Sequence, residues 1–411
     1  MEVTSLVAES RLQGSFRVPR FEVRIEGVGL PRDVLRDVSQ LTYHDSTSEL
    51  DGFELVVNNW DPTERTFKYV GAETDEELQK NDKRSLRFKL FEPCRREVTV
   101  NMGYTDEMRT MLTGTVTTME PNFPASGAPT LTVRGLNVLH QLRRKPYDWA
   151  FEKKTDSEIA KSLATLKDEE THLKRFPLPV ETDEAVEGKE PRLDYIAQKS
   201  QTDIDFLFSR ARERGYVIFI MEESKTKNGT VRPRRLYFGP PHGGKGVVLR
   251  DVVFVLEWGR SLIDFKPTLT TANQVRSVTV RGWDRKTKKP IEEKVDLDDK
   301  ELNRNKDLHR LLGSCDPHDD VIVDLPVFTK EQASAAARAR LQQTQRAIVK
   351  ASATTVGLPD LRAGQLVYIG NLGSRFSGVY FITDSTHVIG ESGYTTQFNC
   401  YREDQWPEWK R

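Results

Sequence analysis

The segment with the most obvious chemical potential is Gly239-Pro-Pro-His-Gly-Gly244-Lys245-Gly246, which nearly matches the phosphate-binding pattern G-x-x-x-x-G-K-[S/T]. The pattern ends in Gly246, so it lacks the hydroxyl that would hold magnesium. The residues that follow, Val247 to Leu249, have the composition of a strand, whereas phosphate binding needs the N-terminus of a helix. We therefore interpret the segment as a glycine-rich linker and predict no cofactor.

A second candidate is the triplet His44-Asp45-Ser46, which has the residue types of a hydrolase triad. Three consecutive side chains cannot converge as nucleophile, base and orienting acid. We interpret the triplet as a turn before a strand that begins near Phe53.

The segment Cys315-Asp-Pro-His318-Asp-Asp320 carries metal-binding residue types at tight spacing. Structural zinc usually needs four protein ligands, and this segment has no second ligand cluster. The seven histidines form no HExxH pair and the three cysteines form no CxxC pair. We predict no metal site and no disulfide framework, and we interpret the segment as a polar turn before Val321.

His387 lies in a strand-like run and is predicted to be a packed or hydrogen-bonded core residue.

No pair of carboxylates stands out as an acid and a base. Asp203 and Asp205 are two positions apart in a predicted helix and diverge, so Asp203 suits the N-cap of that helix better. A glycosidase needs two carboxylates that face one cleft, and the sequence singles out none. We predict that the chain is not an enzyme.

The composition limits the classes of partner. Among 411 residues, 62 Lys and Arg balance 62 Asp and Glu. Nucleic acids and anionic membranes are bound through a surplus of positive charge, so we predict neither partner. The N-terminus lacks a leader pattern and the apolar runs are strand-sized, so we expect no signal peptide and no membrane span.

Short runs of alternating apolar and polar residues dominate the first third, and period two predicts half-buried strands. The runs are Phe21 to Ile25, Phe53 to Asn58, Leu86 to Leu90, Val98 to Met102, Leu112 to Thr118 and Thr130 to Arg134. Strands this closely spaced indicate a barrel or a sandwich.

Helical signals enter after His140. Thr155-Asp-Ser-Glu158 has capping-box spacing and predicts a helix from about Asp156. Two more helices are predicted at Leu193 to Ser200 and at Asp203 to Arg214, the latter ended by Gly215. Strands follow at Tyr216 to Met221 and Arg235 to Phe238, so this part reads as a small α+β module.

The last part returns to strands around one Ala-rich helix. Thr329-Lys-Glu-Gln332 predicts the start of this helix, which ends near Ala347. The predicted strands are Val247 to Leu249, Val252 to Trp258, Val275 to Gly282, Gln365 to Ile369, Gly378 to Thr383 and Tyr394 to Tyr401. The predicted fold class is mainly β with an α+β insertion.

An ordered set of segments resembles the late control gene D family of contractile phage tails, which includes the hub half of VgrG proteins and the baseplate hub of T-even phages. The segments span most of the chain: Leu50 to Asp61, Val133 to Leu136, Tyr195 to Phe208, Ala211 to Tyr216, Leu236 to Pro240, Leu256 to Pro267, Gln274 to Asp284, Phe376 to Tyr380, His387, and Gly393 to Tyr394.

The resemblance implies a homotrimer on the tail axis that adapts a sixfold tube to a threefold spike. It implies two tail-tube-like antiparallel β-barrels in a trimeric ring. We assign the first barrel to residues 1–143, the α+β insertion to residues 144–245, and the second barrel with the Ala-rich helix to residues 246–411. The first barrel can borrow strands from after residue 246.

The expected partners are the tail tube protein above the ring, a separate spike protein below it and other baseplate components. The chain has no spike repeat after Tyr401, and Trp406 and Trp409 either contact the spike or fold back on their own barrel. The expected location is the bacterial cytoplasm during assembly and the virion or injection particle afterwards. Two alternatives stay open, a tail-tip cell-wall hydrolase and a carbohydrate- or receptor-binding β module.

Overall fold

The computed structural model describes residues 2–5, 18–70, 83–94, 96–105, 107–176, 178–183, 186, 188–225, 231–240, 252–272, 274–297 and 318–403. These residues form mainly β-strands, arranged in several sheets. None of the helices in these ranges has the length and hydropathy needed to span a bilayer.

The chain up to residue 143 is built of short strands, two short helices and a 3₁₀ turn. The strands are β1 (Glu2–Ser5), β2 (Pro19–Ile25), β3 (Val28–Gly29), β4 (Val38–Ser46), β5 (Gly52–Asn58), β6 (Trp60–Asp61), β7 (Thr66–Phe67), β8 (Glu97–Tyr104), β9 (Glu107–Asn122) and β10 (Thr130–Asn137). The helices are α1 (Arg32–Asp37) and α2 (Lys83–Phe88), and the 3₁₀ turn is Val138–Arg143.

The alternation in the sequence predicts which face of these strands is buried. In β2, Val23 and Ile25 are buried while Arg24 between them is exposed. The same alternation puts Leu41, Leu55, Val100 and Val133 into one apolar core. The strand predictions at residues 21–25, 53–58, 98–102, 112–118 and 130–134 are confirmed.

The middle of the chain combines two helices with small sheets. Its elements are β11 (Pro146–Lys154), α3 (Asp156–Leu163), β12 (Val180–Thr182), β13 (Leu193–Thr202), α4 (Asp203–Arg214), β14 (Val217–Met221), β15 (Ser224–Lys225), β16 (Val231–Arg232) and β17 (Arg235–Gly239). β11 and β13 form a two-stranded ribbon, and β12, β17 and β14 form a sheet on which both helices pack.

Local end signals explain the helices of this part. Thr155 and Glu158 form both hydrogen bonds of the predicted capping box at the start of α3. Gly215 ends α4 with a φ of 69°, in the left-handed region that glycine adopts without strain. The N-cap of α4 is Thr202, whose hydroxyl accepts from the Asp205 backbone N–H, and not Asp203 as predicted. The Asp203 carboxylate is instead engaged by Arg175.

The last part contains most of the remaining strands. Its elements are β18 (Val252–Glu257), β19 (Leu262–Leu269), β20 (Val275–Asp284), β21 (Lys289–Asp296), β22 (His318–Ile322), α5 (Lys330–Arg346), β23 (Val349–Val356), β24 (Leu366–Gly370), α6 (Gly373–Phe376), β25 (Gly378–Gly390) and β26 (Gly393–Arg402). β20, β21 and β22 form a separate sheet covered by α5, which Thr329 caps as predicted.

One large sheet joins the first and last parts of the chain. β25 pairs with β26 on one side, and on the other side it pairs first with β24 and then with β4. A continuous path therefore runs β3-β2-β8-β9-β10-β5-β4-β25-β26-β23-β19, with β24, β18 and β1 branching from β25. Both ends of this path are open within the described residues.

Besides the N-cap of α4, four local predictions are wrong. Residues 318–320, predicted as part of a polar turn before Val321, begin strand β22. Leu193 to Ser200 is a strand, β13, because its apolar residues pair across the ribbon, for example Ile196 with Phe151. Leu86 to Leu90 is not a strand: α2 ends at Phe88, a turn follows, and the buried residues Phe88 and Phe91 are three positions apart, whereas a strand face needs every second residue. His44-Asp45-Ser46 is the end of strand β4 and not a turn.

The strand pairing is mixed and not purely antiparallel as expected. Four pairs of strands run parallel: β1 with β18, β18 with β24, β12 with β17, and β20 with β22.

Candidate functional site

The candidate motifs of the sequence do not assemble into a catalytic centre within the described residues. His44 contacts Thr386, while Asp45 points to the opposite face of β4, so the triplet diverges as expected for a strand. The segment after Pro240 and the segment before His318 lie outside the described residues, as do Trp406 and Trp409. No group of three or more potential metal ligands occurs in the part of the chain that the structure describes.

The most concentrated polar chemistry is a buried cluster around Arg362, in the loop between β23 and β24. Arg362 Nε donates to Asp45 Oδ2 at 2.6 Å, and Nη2 donates to the Met111 carbonyl oxygen at 2.9 Å. Nη2 also contacts the Tyr43 hydroxyl, and the guanidinium carbon lies 4.5 Å from the centre of the Tyr43 ring. A guanidinium buried this completely needs such partners, because an unpaired buried charge is costly.

Asp45 connects this loop to β25. Its carboxylate accepts from the Ala363 backbone N–H at 3.2 Å and from the Ser385 hydroxyl. Ser385 Oγ in turn lies 3.2 Å from His387 Nε2. His387 is fully buried and hydrogen-bonded, which confirms the prediction of a core histidine.

Two further carboxyls lie near the Arg362 cluster. Asp51 accepts from the Ser46 N–H and from Asn137 Nδ2, and burial together with the negative charge of Asp45 raises the pKa of Asp51 to about 7. Glu222 accepts from the Thr113 N–H at 3.2 Å, and burial raises its pKa as well.

The Arg362 guanidinium stays positively charged. Burial works to lower the pKa of Arg362, but the neighbouring Tyr43, Asp45 and Asp51 more than offset it, so the pKa stands above its ordinary value. The cluster thus carries one permanent positive charge that is surrounded by acidic side chains.

The loop that carries Arg362, residues 357–365, is fixed along its length. The Leu358 N–H donates to Thr396 Oγ1 at 2.9 Å, and the Gly357 carbonyl oxygen accepts from the Tyr104 hydroxyl at 2.8 Å. Gly357 is packed so closely on the Tyr394 ring that a Cβ would lie 2.0 Å from its Cγ. The loop therefore joins β8, β9, β4, β25 and β26 through one buried segment.

Two buried carboxylates of the α+β part are also bound by arginines. Asp156 accepts from Arg210 Nε at 2.7 Å and contacts Arg214, and Asp203 accepts from Arg175 Nε at 3.1 Å. Asp156 and Asp203 are buried. Carboxylates bound in this way orient helices and are poorly placed for proton transfer.

A second candidate feature is two of the open edges of the large branched sheet, those at β3 and β19. Among the described strands, β19 pairs only with β23, and β3 pairs only with β2. Ile263, the extra residue of a bulge in β19, and Trp258 just before this strand are 60% and 59% exposed. Val28 in β3 is 71% exposed. Open edges with exposed apolar side chains are suited to pairing with another chain.

The face of the large sheet opposite the core is polar. Residues in register across five neighbouring strands are His44, Thr386, Gln397, Thr354 and Asp264. A second row contains a bridge in which Arg134 Nε donates to Glu54 at 2.7 Å and Arg134 also contacts Glu120. This face therefore offers hydroxyls, amides and paired charges rather than a field of one sign.

Sequence reasoning identified His387 and missed Arg362 and Asp45. One usable signal existed for Asp45, which continues the buried alternation of Leu41 and Tyr43 in β4. No local pattern marks Arg362, because its partners lie in distant parts of the chain.

Comparison with known proteins places the fold. The family model described as the Alg8 N-terminal domain matches residues 74–391. The 43 kDa tail protein of prophage MuSo2 from Shewanella oneidensis aligns with a TM-score of 0.62 at 15% identity, covering 94% of this chain and 99% of that protein. The tail protein from Neisseria meningitidis MC58 aligns with a TM-score of 0.60 at 14% identity, covering 95% of this chain and 98% of that one.

A third similar structure is the E. coli protein c3393, described as a component of the type VI secretion system with structural similarity to the T4 bacteriophage tail proteins gp27 and gp5. It aligns with a TM-score of 0.55 at 11% identity, covering 93% of this chain and 77% of that one. No curated protein matches the sequence. At these identities the likeness shows a shared fold: this chain has the fold of phage tail proteins and of a type VI secretion component.

Proposed function

The chain belongs to the Alg8 N-terminal domain family, and from this premise we propose that it is the structural baseplate hub of a contractile injection apparatus, either a phage tail, a tailocin or an extracellular injection system. The observation that carries the proposal is the extent of the fold similarity to tail proteins, which covers nearly the whole of both chains. Because a fold can host several functions, this support is by analogy.

In the proposed hub, three copies form a ring that adapts a sixfold tube to a threefold spike. The open edges at β3 and β19 support a head-to-tail ring, in which the β19 edge of one copy meets the β2 and β3 edge of the next. A heterologous contact of this kind closes into a ring when the rotation per copy is a third of a turn. Ring formation would also satisfy backbone groups that an open edge leaves unpaired.

We further propose that the ring completes two tail-tube-like barrels per subunit, as in the late control gene D family. The domain division at residues 143 and 245 belongs to this proposal, with β25 and β26 lent to the first barrel through the pairing of β25 with β4. The polar rows on the outer face of the sheet would then face the channel, where hydroxyls and paired charges give a hydrated wall.

The proposed partners follow from this position. The tube protein binds above the ring, and a separate spike protein and other baseplate components bind below it. Trp406 and Trp409, outside the described residues, remain the proposed spike contacts. The particle would assemble in the bacterial cytoplasm and carry the hub in its baseplate.

A non-enzymatic role is part of the proposal. Two buried carboxylates of the α+β part, Asp156 and Asp203, are bound by arginines, which leaves them poorly placed for acid–base chemistry. The balanced charge also disfavours a role in binding nucleic acid or anionic membranes. A peptidoglycan-clearing assay on the purified chain is expected to show no activity, and clearing would support the hydrolase alternative.

Mass measurement in solution tests the hub against a monomeric carbohydrate- or receptor-binding module. Native mass spectrometry over a range of concentrations, with and without the spike protein, is expected to show a species of three times the 47.1 kDa chain mass. A persistent monomer at high concentration in both conditions would contradict the hub.

A further inference from the structure

Most of the loop of residues 357–365, which connects β23 to β24, is buried. Leu361, Arg362 and Ala363 are all buried. We propose that this loop is an acid-sensitive lock: at neutral pH Arg362 and its polar partners hold it between the strands, and protonation of His387 and Asp45 releases it. The lock is a property of the single chain and does not depend on the proposed trimer.

The lock is built on one positive charge that acid cannot remove. Arginine stays protonated throughout the accessible pH range, and a buried cation is tolerated only when acceptors and an opposite charge surround it. The titratable or charged groups facing the loop are Tyr43 and Asp45 of β4, Asp51 after β4, Tyr104 of β8, Arg109 of β9, Glu222 after β14, Arg234 before β17, Asp360 of the loop, His387 of β25 and Tyr394 of β26.

His387 is the group in this cluster that can gain a positive charge. Its Nε2 lies 3.1 Å from the Leu361 carbonyl oxygen, which can only accept, so Nε2 carries the hydrogen and holds the loop. Nδ1, 2.9 Å from the Tyr394 hydroxyl, is then the acceptor of the neutral ring. A proton on Nδ1 removes this acceptor and puts a second positive charge into the cluster that contains Arg362.

Asp45 is the group whose negative charge acid removes. Its Oδ2 accepts from Arg362 Nε at 2.6 Å, and its carboxylate also accepts from the Ala363 N–H at 3.2 Å. Protonation leaves these donors with a weaker acceptor and leaves the guanidinium charge uncompensated. Removing one side of a buried pair is strongly destabilising, so the loop has reason to leave the interior.

Protonation of Asp51 and Glu222 has the opposite effect to protonation of His387 and Asp45, because it favours the folded loop in acid. Burial raises the pKa of Asp51 to about 7 and raises the pKa of Glu222. A raised pKa in the folded chain gives stability at low pH that is lost as the pH rises through that pKa. Opening in acid therefore has to come first from His387, below the ordinary histidine pKa of about 6.5, and from Asp45 only near the ordinary aspartate pKa of about 4.

Hydrogen exchange of the full chain between pH 7.5 and 4.5 tests the lock, with rates corrected for the intrinsic pH dependence of amide exchange. Peptides covering residues 357–365 are expected to lose about tenfold in protection per pH unit once protonation is linked to opening. Peptides of α3, whose buried residues belong to a different apolar core from Leu358 and Leu361 of the loop, serve as the internal control and are expected to stay protected. Equal loss in both regions would mean global unfolding and would overturn the proposal.

Two variants make the test specific. Arg362→Met keeps a long side chain without its charge, so the loop is expected to lose protection already at pH 7.5 and to show little further loss in acid. His387→Gln keeps Arg362 and Asp45, so the onset of opening is expected at a lower pH, and this variant decides the question if Arg362→Met does not fold. The proposal fails if loop protection in the native chain does not depend on pH, or if His387→Gln opens at the same pH as the native chain.

Discussion

Arg362 Nε donates a 2.6 Å hydrogen bond to Asp45 Oδ2 in the interior, although the two residues are 317 positions apart in the chain. The bond joins the loop after β23 to β4, so it ties the last part of the chain to the first. Tyr43, Met111 and Ser385 complete the surroundings of this pair.

Replacing Arg362 tests the energetic weight of this connection. Arg362→Ala leaves Asp45 buried without its guanidinium partner, and we expect the free energy of unfolding to fall by about 3–5 kcal/mol. Arg134→Ala is the matched control, because Arg134 also bridges two carboxylates but its side chain is 46% exposed. The control substitution is expected to lower the free energy of unfolding by only about 0–1 kcal/mol. Chemical denaturation at pH 7 measures both, and equal losses would contradict the assigned role of the buried pair.

Asp51 gives a prediction with the opposite pH dependence. Its pKa of about 7 lies above the ordinary value of 3.8, so the neutral carboxyl favours the folded chain at low pH and this stability is lost as the pH rises through about 7. Asp51→Asn keeps an oxygen that can accept from Asn137 and removes the titration. From pH 5 to pH 8 the stability of the variant relative to the native chain is expected to rise by roughly 2–3 kcal/mol, because about 1.4 kcal/mol accrues per pH unit up to pH 7 and none above it. Denaturation curves at the two pH values measure this, and a constant difference would show that Asp51 does not titrate there.

Gly357 tests how tightly the buried loop is packed. A Cβ at this position would lie 2.0 Å from Cγ of Tyr394, a ring held by its contact with His387, so Gly357→Ala is expected to lower the free energy of unfolding by roughly 1–3 kcal/mol. Gly188→Ala is the control, because a Cβ there meets nothing within 4 Å. A thermal or chemical unfolding comparison that finds the two variants alike would mean that the loop can move away from the ring at little cost.

These packing features also explain how far the sequence could predict the structure. The start of α3 at Thr155 and the end of α4 at Gly215 were predictable, because each signal lies within four residues of the bond that it forms. The strand faces of β2, β5 and β10 were predictable for the same reason, since alternation is local. The core position of His387 followed from its place in a strand-like run.

The features that the sequence did not predict depend on contacts between residues that are far apart in the chain. Leu193, Ile196 and Ala197 have helical spacing, but pairing with β11 makes them a strand. Asp45 looked like part of a turn because its partner Arg362 lies 317 residues away, and no local pattern signals such a pair. The mixed, branched sheet around β25 likewise depends on pairings between the two ends of the chain.

The β19 edge gives a test of assembly that leaves the subunit intact. Ile263→Lys puts a charge on an exposed residue at the open edge, so it is expected to weaken the proposed trimer at least tenfold, as one buried unpaired charge would, with little change in subunit stability. Val231→Lys is the control, since Val231 is 47% exposed in the short β15–β16 hairpin, away from the edge. Analytical ultracentrifugation over a dilution series measures both. Equal trimer affinity in the two variants would exclude this edge as the subunit contact.

Electron microscopy of the purified chain, alone and mixed with its spike protein, tests the central claim most directly. The hub proposal predicts ring-shaped particles with threefold symmetry, a central channel and a mass of three chains of 47.1 kDa. Single subunits without a channel in both preparations, at concentrations where the mass also stays that of one chain, would contradict it.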